Sequence, residues 1–217
     1  MKTKKKPSFV SLLSSGLDSP IAVYLMMKQG YDAVLLSYDV SGDTQSLFKQ
    51  KIAKVAMHLK KLTSRSLISY IVDHQKTLQE FLERGKRKLT CVLCKSYMLY
   101  SANLLAKQTH SEFIVNGDIL GEQASQTLQN MSVIQKSMSE IPVIRPLVGF
   151  EKKDVLKLSH KLEFYPLSTL PDVQCTYNPL YPETHADLSE VQDSISRLDL
   201  ESIAHTSLKN AQILDFE

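Results

Sequence analysis

No apolar run in the sequence approaches the ~20 residues needed to cross a bilayer, so nothing in it reads as a membrane span. Glycine and proline are sparse, at seven and eight, and no repetitive tract occurs, which excludes a fibrous or low-complexity chain. Cysteine is scarcer still. The three residues Cys91, Cys94 and Cys175 are an odd count, which argues against a disulfide framework and toward metal, redox or nucleophile roles. Charge of one sign is also lacking: 26 Lys+Arg against 23 Asp+Glu leave a net +3, too little to mark a dedicated nucleic-acid binder. The opening MKTKKKP is basic, but no apolar stretch follows it as in a secretory signal. The expectation is a cytoplasmic protein with no membrane partner.

What is present is enough chain, 217 residues, for one sizeable core. Short apolar runs at 9–13, 33–38, 67–72, 113–115 and 142–144 read as strands buried on both faces. Helical patterns lie between them. The clearest sets Phe48, Ile52, Val55, Leu59 and Leu62 on one stripe. Others span 20–29, 74–86, 96–107, 152–160 and 188–198. The alternation predicts an α/β fold, a doubly wound parallel five-stranded sheet with helices on both faces and its ligand beyond the carboxyl ends of the strands. The division expected is a basic tail over 1–7, a catalytic domain over 8–180 and an acidic helical tail over 181–217.

The loop after the first strand carries the most information. Ser14, Ser15, Gly16, Leu17, Asp18 and Ser19 precede Pro20 at a helix start. Small residues there leave backbone N–H groups free at a positive helix end, which suits a phosphate, and proline costs nothing in a first turn. No Gly-Lys-Ser/Thr closes the loop, so it is not a kinase-type phosphate loop. Holding pyrophosphate during attack on the α-phosphate fits better than γ-phosphoryl transfer. The plainer reading is a Ser/Asp helix cap.

Residues 14–19 resemble the SGGxDS signature of the PP-loop ATP pyrophosphatases, with Ser15 in place of the first glycine. Four further segments resemble one branch of that superfamily, the tRNA 4-thiouridine synthetases. They are Cys91–Lys95, Asn116–Thr127, Ile144–Leu147 with Glu151-Lys152, and Leu170–Cys175, in the family's order and spacing. The resemblance implies an adenine-nucleotide α-hydrolase-like fold and ATP contacts at Leu12, Leu13, Ser14, Ser15, Gly16, Asp18, Ser19, Ser37, Tyr38, Lys95, Gly117, Asp118 and Gln126. Gly117 would permit close backbone approach. Asp118 would hold Mg²⁺ or simply cap its loop. Asp18 and Lys152 match the charged pair on which the family's adenylation depends, with Lys152 able to neutralise a pentavalent phosphate.

Cys91 and Cys94 have the spacing of a metal site, an iron–sulfur site or a redox pair. In the family without a rhodanese domain, the resemblance implies a [4Fe-4S] cluster held by Cys91, Cys94 and Cys175, with one iron open. Other members place a lone sulfur-carrying cysteine at the position of Cys175. Zinc, with His110 or His185 as fourth ligand, is the alternative. The chain shows neither a THUMP-type RNA-binding extension nor a rhodanese domain, so a separate RNA-binding partner or a homodimer is expected to grip tRNA, with sulfide or a donor protein supplying sulfur. The implied reaction is ATP-dependent 4-thiouridine formation through an adenylated uridine. The alternatives are adenylation of, or sulfur transfer to, a small thiamine-type precursor, and a non-catalytic ATP- or cluster-binding subunit of a tRNA-modification complex.

Overall fold

A computed structural model describes residues 6–42, 46–138, 140–173 and 175–216, with the side chains of 137 and 138 left aside. In chain order the elements are β1 (Ser8–Leu12), α1 (Asp18–Lys28), β2 (Asp32–Asp39), α2 (Leu47–Thr63), β3 (Leu67–Asp73), α3 (Gln75–Arg84), α4 (Thr90–Thr109) and β4 (Phe113–Val115). Then follow α5 (Leu128–Met138), β5 (Val143–Ile144), α6 (Lys152–Lys161), α7 (Tyr165–Ser168), α8 (Leu188–Ser196), α9 (Leu200–Lys209) and β6 (Gln212–Asp215). The sheet order is β5-β4-β1-β2-β3-β6, parallel except for β6, which runs antiparallel to β3 with Ile68 opposite Asp215. The expected five parallel strands are present, and the sixth, antiparallel edge strand is an addition to that expectation. No helix among the described residues is long and apolar enough to cross a membrane.

Strand periodicity of two builds two cores from one sheet. Phe9, Ala33, Leu35, Phe113 and Val115 face the layer of α1, α2, α6 and α7, while Val10, Val34, Leu36 and Ile114 face α3, α4, α5, α8 and α9. Helix α2 forms where the stripe predicted it. Ser46 caps its start by accepting Lys49 N–H at 3.2 Å, and Ser64 closes its end in the left-handed region at φ 53°. Helix α4 is apolar nearly all round because it runs under α3, α5, α8 and α9 rather than at the surface.

The segment from 181 onward is not a tail. Val191, Leu200, Ala204 and Leu208 are buried against α4, and β6 completes the sheet. Helix α5 has no counterpart in the sequence reading. Met131, Val133 and Ile134 fasten it to the core, but its Gln, Asn and Ser residues break the apolar period.

For the site, the decisive feature is the order 4-1-2 at the centre. The chain leaves β1 toward β2 and β3, then crosses back to β4 and β5 on the other side. The loops after β1 and β4 therefore diverge and open a crevice, the switch point where doubly wound sheets bind ligands.

Candidate active site

That crevice holds a cavity of about 270 Å³ between the loops after β1 and β4, the end of β2 and one face of α4. Of the thirteen residues expected to touch ATP, all but Ser15, Gly16 and Ser37 line it. Ser37 is fully buried and, one residue from Tyr38, points its side chain to the opposite face of the sheet. Any contact of Ser37 with a ligand is through its backbone.

The β1 loop is folded on itself by its serines. Ser19 Oγ accepts Ser14 N–H at 2.9 Å and lies 2.9 Å from Ser14 Oγ, while Ser14 Oγ accepts Gly16 N–H at 3.3 Å. Helix α1 starts at Asp18 with Leu17 as its cap residue and no side-chain cap. The plainer reading of this loop, an ordinary Ser/Asp cap, is therefore not what forms. The cap residue's side chain satisfies none of the first N–H groups of α1, a geometry that suits an anion. The Asp18 carboxylate is turned to Lys152, whose Nζ lies 2.6 Å and 2.7 Å from its two oxygens across 134 residues of chain. Lys152 opens α6, an unfavourable place for a cation, and Asp18 offsets that cost.

Gly117 has a definite steric reason. A Cβ there would lie 2.8 Å from Ser19 Cα and 2.9 Å from Ser19 N, so the β4 loop can lie against the start of α1 only without a side chain. The next residue, Asp118, is buried and accepts from Lys95 Nζ at 2.7 Å and Gln126 Nε2 at 3.1 Å, with Arg145 Nε 3.5 Å from its other oxygen. Asn116 Oδ1 receives Asp118 N–H at 3.1 Å, so it is Asn116 that caps this loop. Gln126 Oε1 and Arg145 Nε are buried with no hydrogen-bond partner, polar atoms left over beside the cavity.

Beside the cavity the first two turns of α4 present Cys91 and Cys94, three residues apart on one face. Cys94 lies 3.2 Å from His74 Nε2. His74 is fully buried at the end of β3 and stacks on Tyr97 at 5.3 Å with an interplanar angle of 6°. Burial lowers its pKa to about 3, so the ring is neutral at ordinary pH. Burial also pushes the Cys94 thiol far up, with Cys175 and then Cys91 adding to it and Lys95 opposing. Cys91 is raised by burial and then by Cys175. The three cysteines are free and Cys175 is exposed, while Cys91 Sγ lies 3.5 Å from Asn178 Oδ1, which brings the segment after Cys175 to the start of α4.

Among the described residues, no group of three or more His, Cys, Asp or Glu side chains is assembled to hold a metal ion. His110 does not serve as a fourth ligand. It closes the far end of α4, sixteen residues beyond Cys94, or about 24 Å at the helical rise. His185 is exposed, with Nδ1 3.1 Å from Thr184 Oγ1. The histidine that does meet a cysteine is His74, which the sequence reading treated only as a helix start. Arg145 stood inside a quoted motif without a role of its own. Phe48 and Met98 were read as core and helix filler, yet both line the cavity. For His74 the available signal was its place at a strand's carboxyl end.

A family described as "Thiamine biosynthesis protein (ThiI)" matches residues 5–200. The chain is 37% identical over 177 residues to a probable tRNA sulfurtransferase of Thermococcus kodakarensis, covering 80% of this chain and 45% of that one. To the probable tRNA sulfurtransferase of Methanosarcina mazei it is 32% identical, covering 94% of this chain and 51% of that one. It thus spans about half the length of the curated relatives it matches. A crystal structure of a 4-thiouridine synthetase–RNA complex with bound ATP superposes with a TM-score of 0.91 at 25% identity, covering 97% of this chain and 55% of that one. With the family match running over residues 5–200 and a relative 37% identical over most of its length, this chain belongs to the ThiI family.

Proposed function

We propose that the chain performs the ATP-dependent activation and thiolation of a tRNA uridine, releasing pyrophosphate and AMP. The observation that carries this is the Asp18–Lys152 pair, set where the uncapped start of α1 meets the cavity. The serine loop and the first N–H groups of α1 receive the β- and γ-phosphates. Lys152 has three N–H donors and spends two on Asp18, so one is left to follow charge developing on the α-phosphate. Asp118 holds Lys95 and Gln126 in place, and Gln126 Oε1 is free to accept from a ribose hydroxyl or the adenine amino group. Mg²⁺ fits as a hard ion held through phosphate oxygens and few carboxylates, with Asp18 and Asp118 the two in the pocket.

In the first step uridine O4 forms a bond to the α-phosphorus, and the bond to the β-phosphate oxygen breaks. Pyrophosphate leaves with its electron pair. In the second step a sulfur nucleophile at the sulfide oxidation level bonds to C4, the C4–O bond breaks, and that oxygen departs within AMP.

Cys91, Cys94 and Cys175 would hold an iron–sulfur cluster. Their fit rests on donor type and on the approach of the two segments, for Asn178 Oδ1, three residues after Cys175, lies 3.5 Å from Cys91 Sγ. When bound, such a cluster would supply an iron site able to carry sulfide. For zinc, the nitrogen within reach of Cys94 is that of His74. A separate RNA-binding partner or a second copy would help to hold tRNA, and a sulfur donor would complete the reaction.

The family's description favours one second reading, sulfur transfer to a thiamine-type precursor in the same pocket. Incubation with ATP and tRNA separates the two. The tRNA reading expects AMP and pyrophosphate in equal amounts, strongly increased by tRNA. ADP as the main product, or pyrophosphate release indifferent to tRNA, overturns it.

A further inference from the structure

The core-facing side of α2 contains one cation. Lys51 sits between Phe48 and Ile52 on the buried stripe and is 3% exposed. An ammonium placed there costs several kcal/mol unless its hydrogen-bonding capacity is met. All three of its donors are met, and all by one short segment. Nζ lies 2.7 Å from Ser168 O, 2.9 Å from Leu170 O and 3.2 Å from Asp172 Oδ2. The two carbonyls come from the end of α7 and the turn beyond it, where helical carbonyls are left open and carry partial negative charge. The Asp172 side chain is itself 1% exposed.

The same segment also touches the phosphate loop, for Ser168 Oγ donates to Gly16 O at 3.3 Å. Residues 168–172 are therefore fastened at one side to α2 and at the other to the loop that precedes α1. Three residues beyond Asp172 comes Cys175, which is exposed and lies in no helix or strand. Without a helix or strand to place it, Cys175 is held from both sides: before it by the Lys51 contacts with residues 168–172, and after it by Tyr177 against the core and by Asn178 Oδ1, 3.5 Å from Cys91 Sγ.

We infer that Lys51 is a positioning residue for sulfur transfer: buried, and remote from substrate, it anchors the loop that presents Cys175 to Cys91 and Cys94 beside the phosphate loop. Its relevance to sulfur transfer rests on the function proposed above, whereas the anchoring itself does not. Loss of Lys51 leaves the Ser168 Oγ–Gly16 O bond to the phosphate loop in place and releases the 170–172 end, the end that leads to Cys175. Misplacing a reacting group by about 1 Å can cost two orders of magnitude, so the effect falls on thiolation and spares adenylation.

The experiment uses the full chain, without nucleotide or tRNA, and reads formation of the Cys91–Cys175 disulfide under diamide by mass spectrometry. Lys51→Met is compared with wild type and with Leu59→Ala, a cavity on the same helix that destabilises the core without touching the loop. The expected result is a cross-linking rate lowered about tenfold or more in Lys51→Met and unchanged in folded Leu59→Ala. Asp172→Asn keeps both carbonyl acceptors and serves should Lys51→Met fold poorly, with a smaller decrease expected. A second arm, with ATP, tRNA and sulfide, expects Lys51→Met to release pyrophosphate at a rate close to wild type while thiolation falls. Equal cross-linking in wild type and the Lys51 and Asp172 variants, no cross-link in wild type, or an equal decrease in Leu59→Ala overturns the anchoring role. Loss of pyrophosphate release in parallel with thiolation overturns the assignment to sulfur transfer. Wild-type protein that cross-links but never thiolates tRNA tells against the proposed function alone.

Discussion

Replacing Lys152 by methionine separates catalysis from stability at one position, because the exposure of the pair and the role proposed for it lead to very different magnitudes. Lys152 is 44% exposed and its partner Asp18 21% exposed, so water and salt screen the pair. Despite the short distances of 2.6 Å and 2.7 Å, such a pair contributes about 0–1 kcal/mol to folding. For a domain of this size that is a change in melting temperature of only about 2–4 °C at most. In the proposed reaction the same ammonium would face charge that develops only in the transition state. Removing one such donor costs about 10²–10³ in kcat, or about 2.7–4 kcal/mol. Lys152→Met is thus expected to lower tRNA-dependent pyrophosphate release by two to three orders of magnitude while ATP still binds and the melting curve barely moves. Lys152→Arg keeps the charge but changes its geometry and should recover part of the rate. The assays are single-turnover pyrophosphate release, nucleotide binding and thermal unfolding on the same samples. A decrease in rate matched by a collapse in stability, or a rate within threefold of wild type, would refute the role given to this lysine.

Gly117→Ala places a methyl group 2.8–2.9 Å from the Ser19 backbone, which cannot swing aside as a side chain could, so the β4 loop must retreat. Overpacking of this kind costs about 1–3 kcal/mol, and the KM for ATP should rise more than tenfold, read by isothermal titration and steady-state kinetics. Anaerobically purified protein should carry iron and sulfide, and each of Cys91→Ala, Cys94→Ala and Cys175→Ala should lose them and the thiolation while still cleaving ATP. Colourless, metal-free protein that thiolates tRNA would contradict the cluster. Finally, hydrogen bonds from His185 N–H and from Lys88 lower the pKa of Glu183, and Lys86 and Lys88 lower that of Glu190. Because the folded pKa values are depressed, this stabilisation is present above the unfolded value of 4.5 and is lost as pH falls below it. Glu190→Gln should flatten the acid side of the melting-temperature profile, and an unchanged profile would contradict it.

How far the sequence foretold this structure depends on how local each signal was. Near-continuous apolar runs placed all five parallel strands, since strands covered on both faces carry few polar residues, here the buried Ser11, Ser37 and Ser69. The stripe on α2 was read correctly as a helix face from Phe48 to Leu59, while Leu62 is exposed and nothing in the pattern marked Lys51 as buried. Its burial depends on a carboxylate 121 residues away, which no spacing rule reaches. Likewise the mutual position of Asp18 and Lys152 followed from family resemblance rather than periodicity, because it is made by the crossover from β3 to β4. Strand β6 is four residues long, mostly exposed and antiparallel, and α9 before it was hidden by the polar residues that surround its three buried positions. His74 went unread because its significance is a contact with Cys94, twenty residues away.

The central claim is that uridine is activated at O4 by AMP before sulfur enters, and an isotope label follows that oxygen directly. tRNA carrying ¹⁸O at O4 of the target uridine is incubated with the chain, ATP and a sulfide source, and the AMP formed is analysed by mass spectrometry. The account predicts one ¹⁸O atom in the phosphate of AMP for each 4-thiouridine made. Unlabelled AMP accompanying labelled RNA, or ADP in place of AMP, would contradict it.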